Sequence, residues 1–564
     1  MTALDWFVLI GTIAFIAIYG AWRTRGVQDI DAYFRGGSQL RWPTIGLSIM
    51  ATQASAITFL STPGQAYEDG MRFVQFYFGL PLAMVLISAV FVPIYHRLKV
   101  YTAYEYLEHR FDVRVRYLGG LLFLISRGLA AGITIYAPAI ILSSLLGWPL
   151  QATNVGIGAV VIVYTVFGGS EAVAQTQKHQ MTVMMVGLVV ALVVIIAQLP
   201  EAVSVTQAVK LAGALDRMNP VSFDFDPQSR YTFWSGITGG FFLALSYFGT
   251  DQSQVQRYLS GKSVAESRLG LLFNGMFKVP MQCMILFCGV MVFVFYLFTQ
   301  PPIFFNTPVL ERVAASEHGA ELKALEQRHT RAFEAQRVAA LAYLGAIDSG
   351  GEAEPQKAAL REAANETRAV RKDAKALIAR AAPEAELKDA DYVFLGFVMR
   401  YLPSGIIGLL IAVIFCAAMS STASELSALG STSMLDFYQR IRGPQSARRS
   451  LVLSKIFTAV WGVLAVSFAA FASLLDNLIE AVNILGSLFY GTVLGLFLVG
   501  FFLKRVSATP VLIAGFLAEG AVLALFFASD LGFLWFNVVG AAVVVVASLV
   551  LQPILGTASG ARSA

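Results

Sequence analysis

Apolar segments long enough to cross a lipid bilayer recur along this chain and limit what it can fold into. A transmembrane helix needs about 20 mostly apolar residues, and thirteen segments meet that length. They lie near residues 4–23, 43–66, 73–95, 118–146, 150–168, 179–199, 231–250, 271–299, 404–426, 450–473, 477–502, 508–529 and 533–553. Of the 564 residues, 57% are hydrophobic and 14% are charged, a balance that no soluble domain could bury. The sequence therefore predicts an all-α integral membrane protein.

Arginine and lysine cluster in alternate loops between these spans. The clustered residues are Arg23, Arg25, Arg35, Arg41, Arg97, Lys99, Arg110, Arg114, Arg116, Arg440, Arg442, Arg448, Arg449, Lys504 and Arg505. By the positive-inside rule, such loops face the cytoplasm. We therefore expect a multi-pass protein of the cell membrane with its N-terminus outside and its C-terminus in the cytoplasm. These loops account for the net charge of +5, so a lipid bilayer is the expected partner and nucleic acid is not.

One segment, residues 311–390, departs from the apolar pattern. It contains 13 basic and 14 acidic residues and much alanine. This composition predicts two solvated helices broken near residues 348–355, where the sequence reads DSGGEAEP. The alternation of the loops puts this insert on the extracytoplasmic side. A simple helical hairpin and a docking site for an unidentified partner both remain open.

A hydroxyl-rich stretch interrupts the ninth predicted span. Eight of the fourteen residues from Ser420 to Ser433 carry a hydroxyl, and Glu425 lies among them. Serines in a helix can bond to their own backbone, but eight exceed what that role explains. Neutral hydroxyl and carbonyl oxygens can replace the hydration shell of Na⁺. Ser420 and Ser421 could both reach one ion, and the Ala417 carbonyl lies one turn earlier on the same helix face.

Two other spans contain features of interrupted helices. The second span is rich in polar residues, and residues 51–55 form a candidate unwound point. The seventh contains Gly239 and Gly240, where a helix break costs little. Transporters built from inverted repeats place ion and solute between two such helices. Close packing of helices through small residues is the alternative explanation.

Several stretches of the chain resemble the sodium:solute symporter family. They are SSTASELSALGSTSMLDFY (420–438), ATQASAITFLSTPGQAYEDGMRF (51–73), KVYTAYEYLEHRF (99–111), YTVFGGSEAVAQT (164–176) and FGTDQSQVQRYLSGKS (248–263). The resemblance covers roughly residues 1–300 and 395–505. Within the family, the second span is most similar to the branch of monocarboxylate, multivitamin and iodide carriers.

This resemblance implies a LeuT-type fold, in which two five-helix repeats of inverted topology follow one extra helix and precede two more. The implied boundaries are 1–40 for the first helix and a cytoplasmic loop, and 41–199 for the first repeat (spans 2–6). Residues 200–505 would form the second repeat (spans 7–11) with its insert. Residues 506–564 would form the two C-terminal helices and a short cytoplasmic tail.

The resemblance also implies Na⁺ as the coupling ion and a set of ligands for it. The implied ligands are the carbonyls of Ala51, Ala54 and Ala417 and the hydroxyls of Ser420 and Ser421. Relatives with a second sodium site have an aspartate at the position of Gln177. One hydroxyl partner of that site is replaced by Ala423, although Ser424 remains. We therefore expect one Na⁺ per transport cycle.

Glu425 is a carboxylate within a predicted span. Such a group costs about 2.5–3.5 kcal/mol on insertion scales, so it usually has a partner or a function. One hypothesis is an ion pair with Lys178 or Arg127. The other is that Glu425, together with Ser424, lies on the cation path and supplies the charge absent at Gln177.

The solute-binding positions are predicted less specifically. The ligands of the family's sugar carriers are replaced by Tyr77 and Ala244, which disfavours a sugar, and the arginine of its sialic acid carriers is replaced by Ala130. Arg127, one turn earlier, could bind a carboxylate bidentately or form a structural ion pair. Lys278 is predicted to extend toward the membrane surface. The candidate solute-binding residues are Gln53, Ser55, Thr58, Phe59, Phe76, Tyr77, Arg127 and Tyr247.

The sequence thus predicts a sodium-coupled symporter that imports a small organic solute by alternating access, with a carboxylate as one candidate solute. One alternative is a membrane sensor that binds a solute without moving it. Another is a symporter for a neutral solute such as a sugar or an amino acid. The chain has no HExxH, nucleophile elbow, P-loop or kinase motif, so we predict no enzyme activity.

Overall fold

The protein is built from helices, as the computed structural model shows for residues 1–23, 39–201, 203–350, 353–383, 385, 387–471 and 478–556. The helices are α1 (Ala3–Arg23), α2 (Trp42–Gln53), α3 (Ala56–Asp69), α4 (Leu80–Leu86), α5 (Val92–Leu98), α6 (Ala103–Arg110), α7 (Val113–Leu146), α8 (Leu150–Ala197), α9 (Val205–Ala214), α10 (Gly240–Gly249), α11 (Gln252–Leu259), α12 (Val264–Phe298), α13 (Thr307–Ala314), α14 (Gly319–Asp348), α15 (Glu354–Ala381), α16 (Ala390–Tyr401), α17 (Ile406–Thr432), α18 (Gln439–Arg442), α19 (Ala447–Ala469), α20 (Leu478–Phe502), α21 (Ala508–Ala528) and α22 (Leu534–Leu555). A 3₁₀ segment, Gly70–Tyr77, precedes α4. The predicted cytoplasmic loop at residues 24–38 and the tail at 557–564 lie outside the described residues.

Nine helical stretches of the described residues are long and apolar enough to cross a membrane. They are Ala56–Leu98, Val113–Ser143, Thr176–Ala197, Val264–Phe298, Ile406–Arg442, Ala447–Ala469, Leu478–Phe502, Ala508–Ala528 and Leu534–Leu555. Two shorter apolar helices, Ala3–Phe15 and Leu150–Val163, overlap the first and fifth predicted spans. The total of thirteen spans stays a prediction.

Helix α8 differs from the sequence prediction. Residues 150–168 and 179–199 are predicted as two spans with a polar loop between them, but Leu150–Ala197 is one helix of 48 residues. The interval between the two apolar stretches contains no proline. Its glycines, Gly168 and Gly169, each disfavour a helix by only about 1 kcal/mol relative to alanine. A change in polarity therefore does not end this helix.

The seventh predicted span has no break at Gly239 and Gly240. A π-helical turn, Ser235–Gly239, leads directly into α10. A Cβ at Gly236 would lie 2.0 Å from the backbone oxygen of Gln75, and one at Gly240 would lie 2.6 Å from that of Phe76. The glycines let α10 pack closely on the 3₁₀ segment. The expected interruption is therefore wrong here, and the packing explanation is correct.

The insert forms the predicted pair of helices, α14 and α15, with the break between Asp348 and Glu354. It is anchored to the bundle through Asp389, which accepts from Arg371 and Lys375 at 2.7 Å each. Burial alone would raise the pKa of the Asp389 carboxyl, but these two cations outweigh it and lower that pKa. The anchor is therefore an ionised, buried salt-bridge cluster.

Helix α17 lies at the centre of the bundle. Most of its residues are buried, including the polar ones from Ser420 to Thr432. A helix that is buried on all sides belongs to a protein core. Its hydroxyl-rich half is therefore enclosed by other helices, where oxygen atoms without partners are costly.

Candidate functional site

The break between α2 and α3 lies against the hydroxyl-rich half of α17. Ala54 leaves the helical conformation at φ −84° and ψ 73°, and Ser55 is extended before α3 starts at Ala56. The last carbonyls of α2 therefore lack the amides that would continue the helix. This agrees with the unwound point predicted at residues 51–55.

Ser421 connects the two elements. Its Oγ donates to the backbone oxygen of Thr52 at 3.1 Å and lies 3.5 Å from that of Ala51. The neighbouring Ser420 Oγ is buried and has no hydrogen-bond partner among the described residues. Ala54 and Ala417, the other two predicted ligands, are fully buried. The Thr52 carbonyl, which lies nearer to Ser421 than the Ala51 carbonyl does, was missed by the sequence prediction.

Gln177 occupies the space beside this cluster. Its Nε2 donates to Ser424 Oγ at 2.9 Å, to Thr52 Oγ1 at 3.0 Å and to the Ser420 carbonyl at 3.4 Å. Ser48 Oγ donates to its Oε1. Ser424 Oγ in turn donates to the Ser420 carbonyl at 2.9 Å. The amide thus bonds to a hydroxyl of each of the two helices, α2 and α17.

A cavity of about 80 Å³ adjoins the break in the bundle centre. Seven of the eight predicted solute-binding residues line it, and these are Gln53, Ser55, Thr58, Phe76, Tyr77, Arg127 and Tyr247. Phe59 is also buried but is not among the lining residues. The sequence prediction missed Thr52, Ile57, Thr134, Leu243, Ile479, Val482, Asn483 and Tyr490 as lining residues. Four of these come from α20, which has no motif that would have marked it.

Arg127 lies in the wall of the cavity between two carboxylates. Its Nη1 lies 3.0 Å from Glu425 Oε1, and its Nε donates to Asp251 Oδ2 at 3.0 Å. Tyr490 accepts a further bond from the guanidinium, and the Tyr247 ring lies 5.2 Å from its central carbon. Arg127 is thus one of the two partners hypothesised for Glu425. Asp251 was missed, although it lies in the FGTDQ stretch that contributes to the family resemblance.

The position of the Lys278 side chain differs from the prediction. Its side chain is fully buried, so it does not extend to the membrane surface. Its Nζ has no hydrogen-bond partner in the described part of the chain and lies 5.7 Å from the centre of the Tyr77 ring. Other helices cover α12 at this point, and hydropathy alone could not show that. A buried lysine therefore lies behind one wall of the cavity.

Comparison with known proteins identifies the relatives of this chain. The model of the "Sodium:solute symporter family" matches residues 33–325 and 372–517. The human sodium/iodide cotransporter is 28% identical over 509 residues, which cover 89% of this chain and 66% of that protein. The human sodium-coupled monocarboxylate transporter 1 is 27% identical, covering 91% and 72%. The sodium/sialic acid symporter SiaT of Proteus mirabilis is 26% identical, covering 98% and 96%.

A solved structure shares the fold. It is the substrate-bound, outward-open state of a Na⁺-coupled sialic acid symporter, with a TM-score of 0.76 and 24% identity. The match covers 98% of each chain. The predicted class, an all-α membrane protein of LeuT type, is therefore confirmed at the level of the fold.

Proposed function

The chain belongs to the sodium:solute symporter family, and from this premise we propose that it imports a small organic anion together with one Na⁺ by alternating access. Membership places the chain among transporters rather than enzymes. Sodium is the coupling ion of that family. The solute, the ion site and the stoichiometry are the parts that we propose.

The observation that supports this proposal best is the contact between Ser421 and the carbonyls at the end of α2. Na⁺ in a low-dielectric site can be held by neutral carbonyl and hydroxyl oxygens. The Ser420 Oγ is buried and has no hydrogen-bond partner among the residues that the structure describes, which is costly unless something coordinates it. The carbonyls of Ala51, Ala54 and Ala417 and the hydroxyls of Ser420 and Ser421 would hold the ion. When bound, the ion supplies a positive charge and ties α17 to the break between α2 and α3.

The shared break explains how ion and solute would be coupled. Thr52, Gln53 and Ser55 line the solute cavity, while the carbonyls around Thr52 face Ser421. An ion that favours the conformation in which the break binds the solute raises the apparent affinity of the protein for the solute, and the effect is reciprocal. The membrane potential adds about 2.3 kcal/mol per charge per 100 mV to inward movement.

Several features favour an anionic solute. The named solutes of the three relatives, iodide, monocarboxylates and sialic acid, are all anions at neutral pH. Two basic side chains, Arg127 and Lys278, lie in or behind the cavity wall, and Arg127 is already paired with Asp251 and Glu425. Arg127 already makes hydrogen bonds to Asp251, Glu425 and Tyr490. A carboxylate would therefore use the remaining N–H of Nη1, or would displace Glu425 from it.

We propose one Na⁺ per cycle because Gln177 fills the second position. Its amide carries no charge and its donors are directed at Thr52 and Ser424. Glu425 and Ser424 are proposed to lie on the path of the single ion. Glu425 follows Ser421 by four residues on α17, which is about 6 Å along the helix.

Uptake into proteoliposomes tests the function. The purified chain is reconstituted with an inward Na⁺ gradient and offered radiolabelled acetate, pyruvate, benzoate, iodide, glucose and proline. We expect concentrative uptake of at least one carboxylate, and none when K⁺ replaces Na⁺. Binding of a solute without any uptake would instead support the sensor, and uptake of only glucose or proline would support a neutral solute.

A further inference from the structure

A second cavity, of about 280 Å³, lies between the insert and the adjacent end of the helix bundle. Its bundle side includes the rings of Tyr67, Phe293 and Tyr296, and Tyr67 lies 5.7 Å and 6.0 Å from the other two in edge-to-face contacts. Its insert side includes Gln336 and Thr367, both buried. The family model does not match residues 326–371, and this unmatched part supplies Gln336, Thr367 and Arg368 to the cavity lining.

The lining of this cavity is strongly basic. Its cationic side chains are Arg217, Arg368, Arg371, Lys372 and Lys375, against two carboxylates, Glu68 and Asp69. Asp389 neutralises two of the cations, Arg371 and Lys375. For Arg217, Arg368 and Lys372, the described residues offer no carboxylate within the 4.0 Å of an ion pair. Three cationic groups thus have no ion-pair partner among the described residues.

Arg217 is the most constrained of the three. Its Nε is buried and makes no hydrogen bond to any described residue. One Nη donates to the backbone oxygen of Glu68, and the guanidinium lies 5.0 Å from the centre of the Phe293 ring. Burial, followed by the charge of Arg368, lowers the pKa of Arg217. An oxyanion in the cavity would relieve the repulsion between the two arginines.

The combination of rings and cations defines the class of ligand. Aromatic faces bind a carbon skeleton, while arginine and lysine bind an oxyanion. We propose that this cavity binds a small organic carboxylate, with its anionic end at Arg217, Arg368 and Lys372 and its skeleton on Tyr67, Phe293 and Tyr296. Its use as a collecting site for the transported solute rests on the proposed function, whereas the binding itself does not. Such a basic site would raise the local concentration of anions beside the bundle.

Calorimetric titration of the full chain tests this site, with benzoate as the probe and its neutral counterpart benzamide as the comparison. The protein is held in phosphatidylcholine nanodiscs in K⁺ buffer without Na⁺, so that a sodium-dependent central site is not measured. We expect saturable benzoate binding and at least tenfold weaker benzamide binding. Arg368→Ala/Lys372→Ala should weaken benzoate binding at least tenfold, because both side chains are exposed on one face of α15 and can be removed without unfolding the insert.

The matched control removes two exposed cations of the insert that do not line the cavity, in Lys323→Ala/Arg331→Ala. Its affinity should stay within twofold of the wild type. Equal effects of the two double variants, or no saturable benzoate binding, would overturn the proposal. An anionic lipid head group offers similar chemistry, so the titration is repeated in phosphatidylglycerol nanodiscs. Native mass spectrometry then shows whether each protein retains phosphatidylglycerol. The proposal would also be overturned if benzoate binding is lost in these nanodiscs and the wild type, but not Arg368→Ala/Lys372→Ala, retains the lipid.

The outcome is separable from that of the uptake assay. If the chain fails to couple uptake to Na⁺, benzoate binding in K⁺ buffer is still expected. If the cavity binds no benzoate, sodium-driven uptake through the central cavity is unaffected. The two proposals therefore fail independently.

Discussion

Arg127 on α7 and Glu425 on α17, 298 positions apart in the chain, form a buried ion pair with 3.0 Å between Nη1 and Oε1. Asp251 bonds to the same guanidinium, so two carboxylates share one cation. With all three groups ionised, the cluster has a net charge of −1. Such an arrangement in a low-dielectric site favours a further cation nearby.

The first prediction concerns Glu425→Gln. Removing this charge about 6 Å along the helix from Ser421 should raise the Na⁺ concentration for half-maximal uptake by about 3- to 10-fold, since a unit charge at this distance contributes on the order of 0.6–1.4 kcal/mol after partial neutralisation by Arg127. The sodium dependence of uptake measures it. Glu519→Gln on α21 removes a partly buried carboxylate of another helix and should leave the sodium dependence unchanged. An unaltered value in Glu425→Gln would exclude Glu425 from the cation path.

The second prediction concerns the cost of an incomplete ion cluster. Asp251→Asn keeps an acceptor for the Ser253 amide that Asp251 caps but leaves Arg127 with one carboxylate. We expect a loss of about 1–3 kcal/mol of stability, seen as a lower melting temperature in nanodiscs. The triple variant Arg127→Met/Asp251→Asn/Glu425→Gln contains no charge at these positions and should regain at least half of the loss. A melting temperature unaffected by Asp251→Asn would mean that the cluster does not stabilise the fold.

The third prediction concerns sodium stoichiometry. The wild type should show a Hill coefficient near 1 for Na⁺, because the Gln177 amide donates to the oxygens of Thr52 and Ser424. Gln177→Asp/Ala423→Ser supplies a carboxylate and a hydroxyl there, and its coefficient should rise toward 2. Reversal potentials in proteoliposomes give the stoichiometry independently. A wild-type ratio of two Na⁺ per solute would contradict the single-site account.

The fourth prediction concerns pH and the insert. His329 is buried in the insert, and burial together with the Arg371 cation lowers its pKa to about 4. An unfolded histidine titrates near 6.5, so the folded insert binds fewer protons between pH 6.5 and 4 and loses stability as the pH falls through that window. From pH 7 to 5 the loss should be about 2 kcal/mol. Hydrogen exchange of the α14 and α15 amides measures it.

Two variants complete that experiment. His329→Gln should remove most of the pH dependence, because the titrating group is gone. His318→Gln changes a partly exposed histidine at the start of α14 and should retain the dependence. Equal slopes in the wild type and His329→Gln would mean that another group controls the insert.

The fold and most of the solute cavity were accessible from the sequence. Three local sequence features correspond to structural ones. The long apolar segments form helices, the small residues around Ala54 form the break between α2 and α3, and the hydroxyls after Ala417 lie buried on α17. Seven of the eight predicted cavity residues line the cavity, and they lie at the break between α2 and α3, on α3, α7 and α10 and in the 3₁₀ segment. Phe59 lies on α3 beside Thr58, but its side chain does not line the cavity.

The remainder depends on contacts between distant elements. Asp251 and Arg127 are 124 positions apart, and no periodicity links them. Lys278 is buried because other helices cover α12, which hydropathy cannot detect. The glycines near residue 239 are typical of a helix break, but in the structure they let this helix approach the backbone at Gln75. Local composition therefore predicted where irregular or polar segments lie, and packing decided what they do.

The central claim is that neutral oxygens of the α2 end and α17 hold the coupling ion, and Ser421→Ala tests it most directly. Sodium titration of uptake compares this variant with Ser431→Ala, whose hydroxyl donates to the Ala428 carbonyl of its own helix. The account predicts at least a tenfold higher Na⁺ requirement in Ser421→Ala and less than a twofold change in Ser431→Ala. Sodium-coupled uptake by Ser421→Ala with the same half-maximal Na⁺ concentration as the wild type would contradict it.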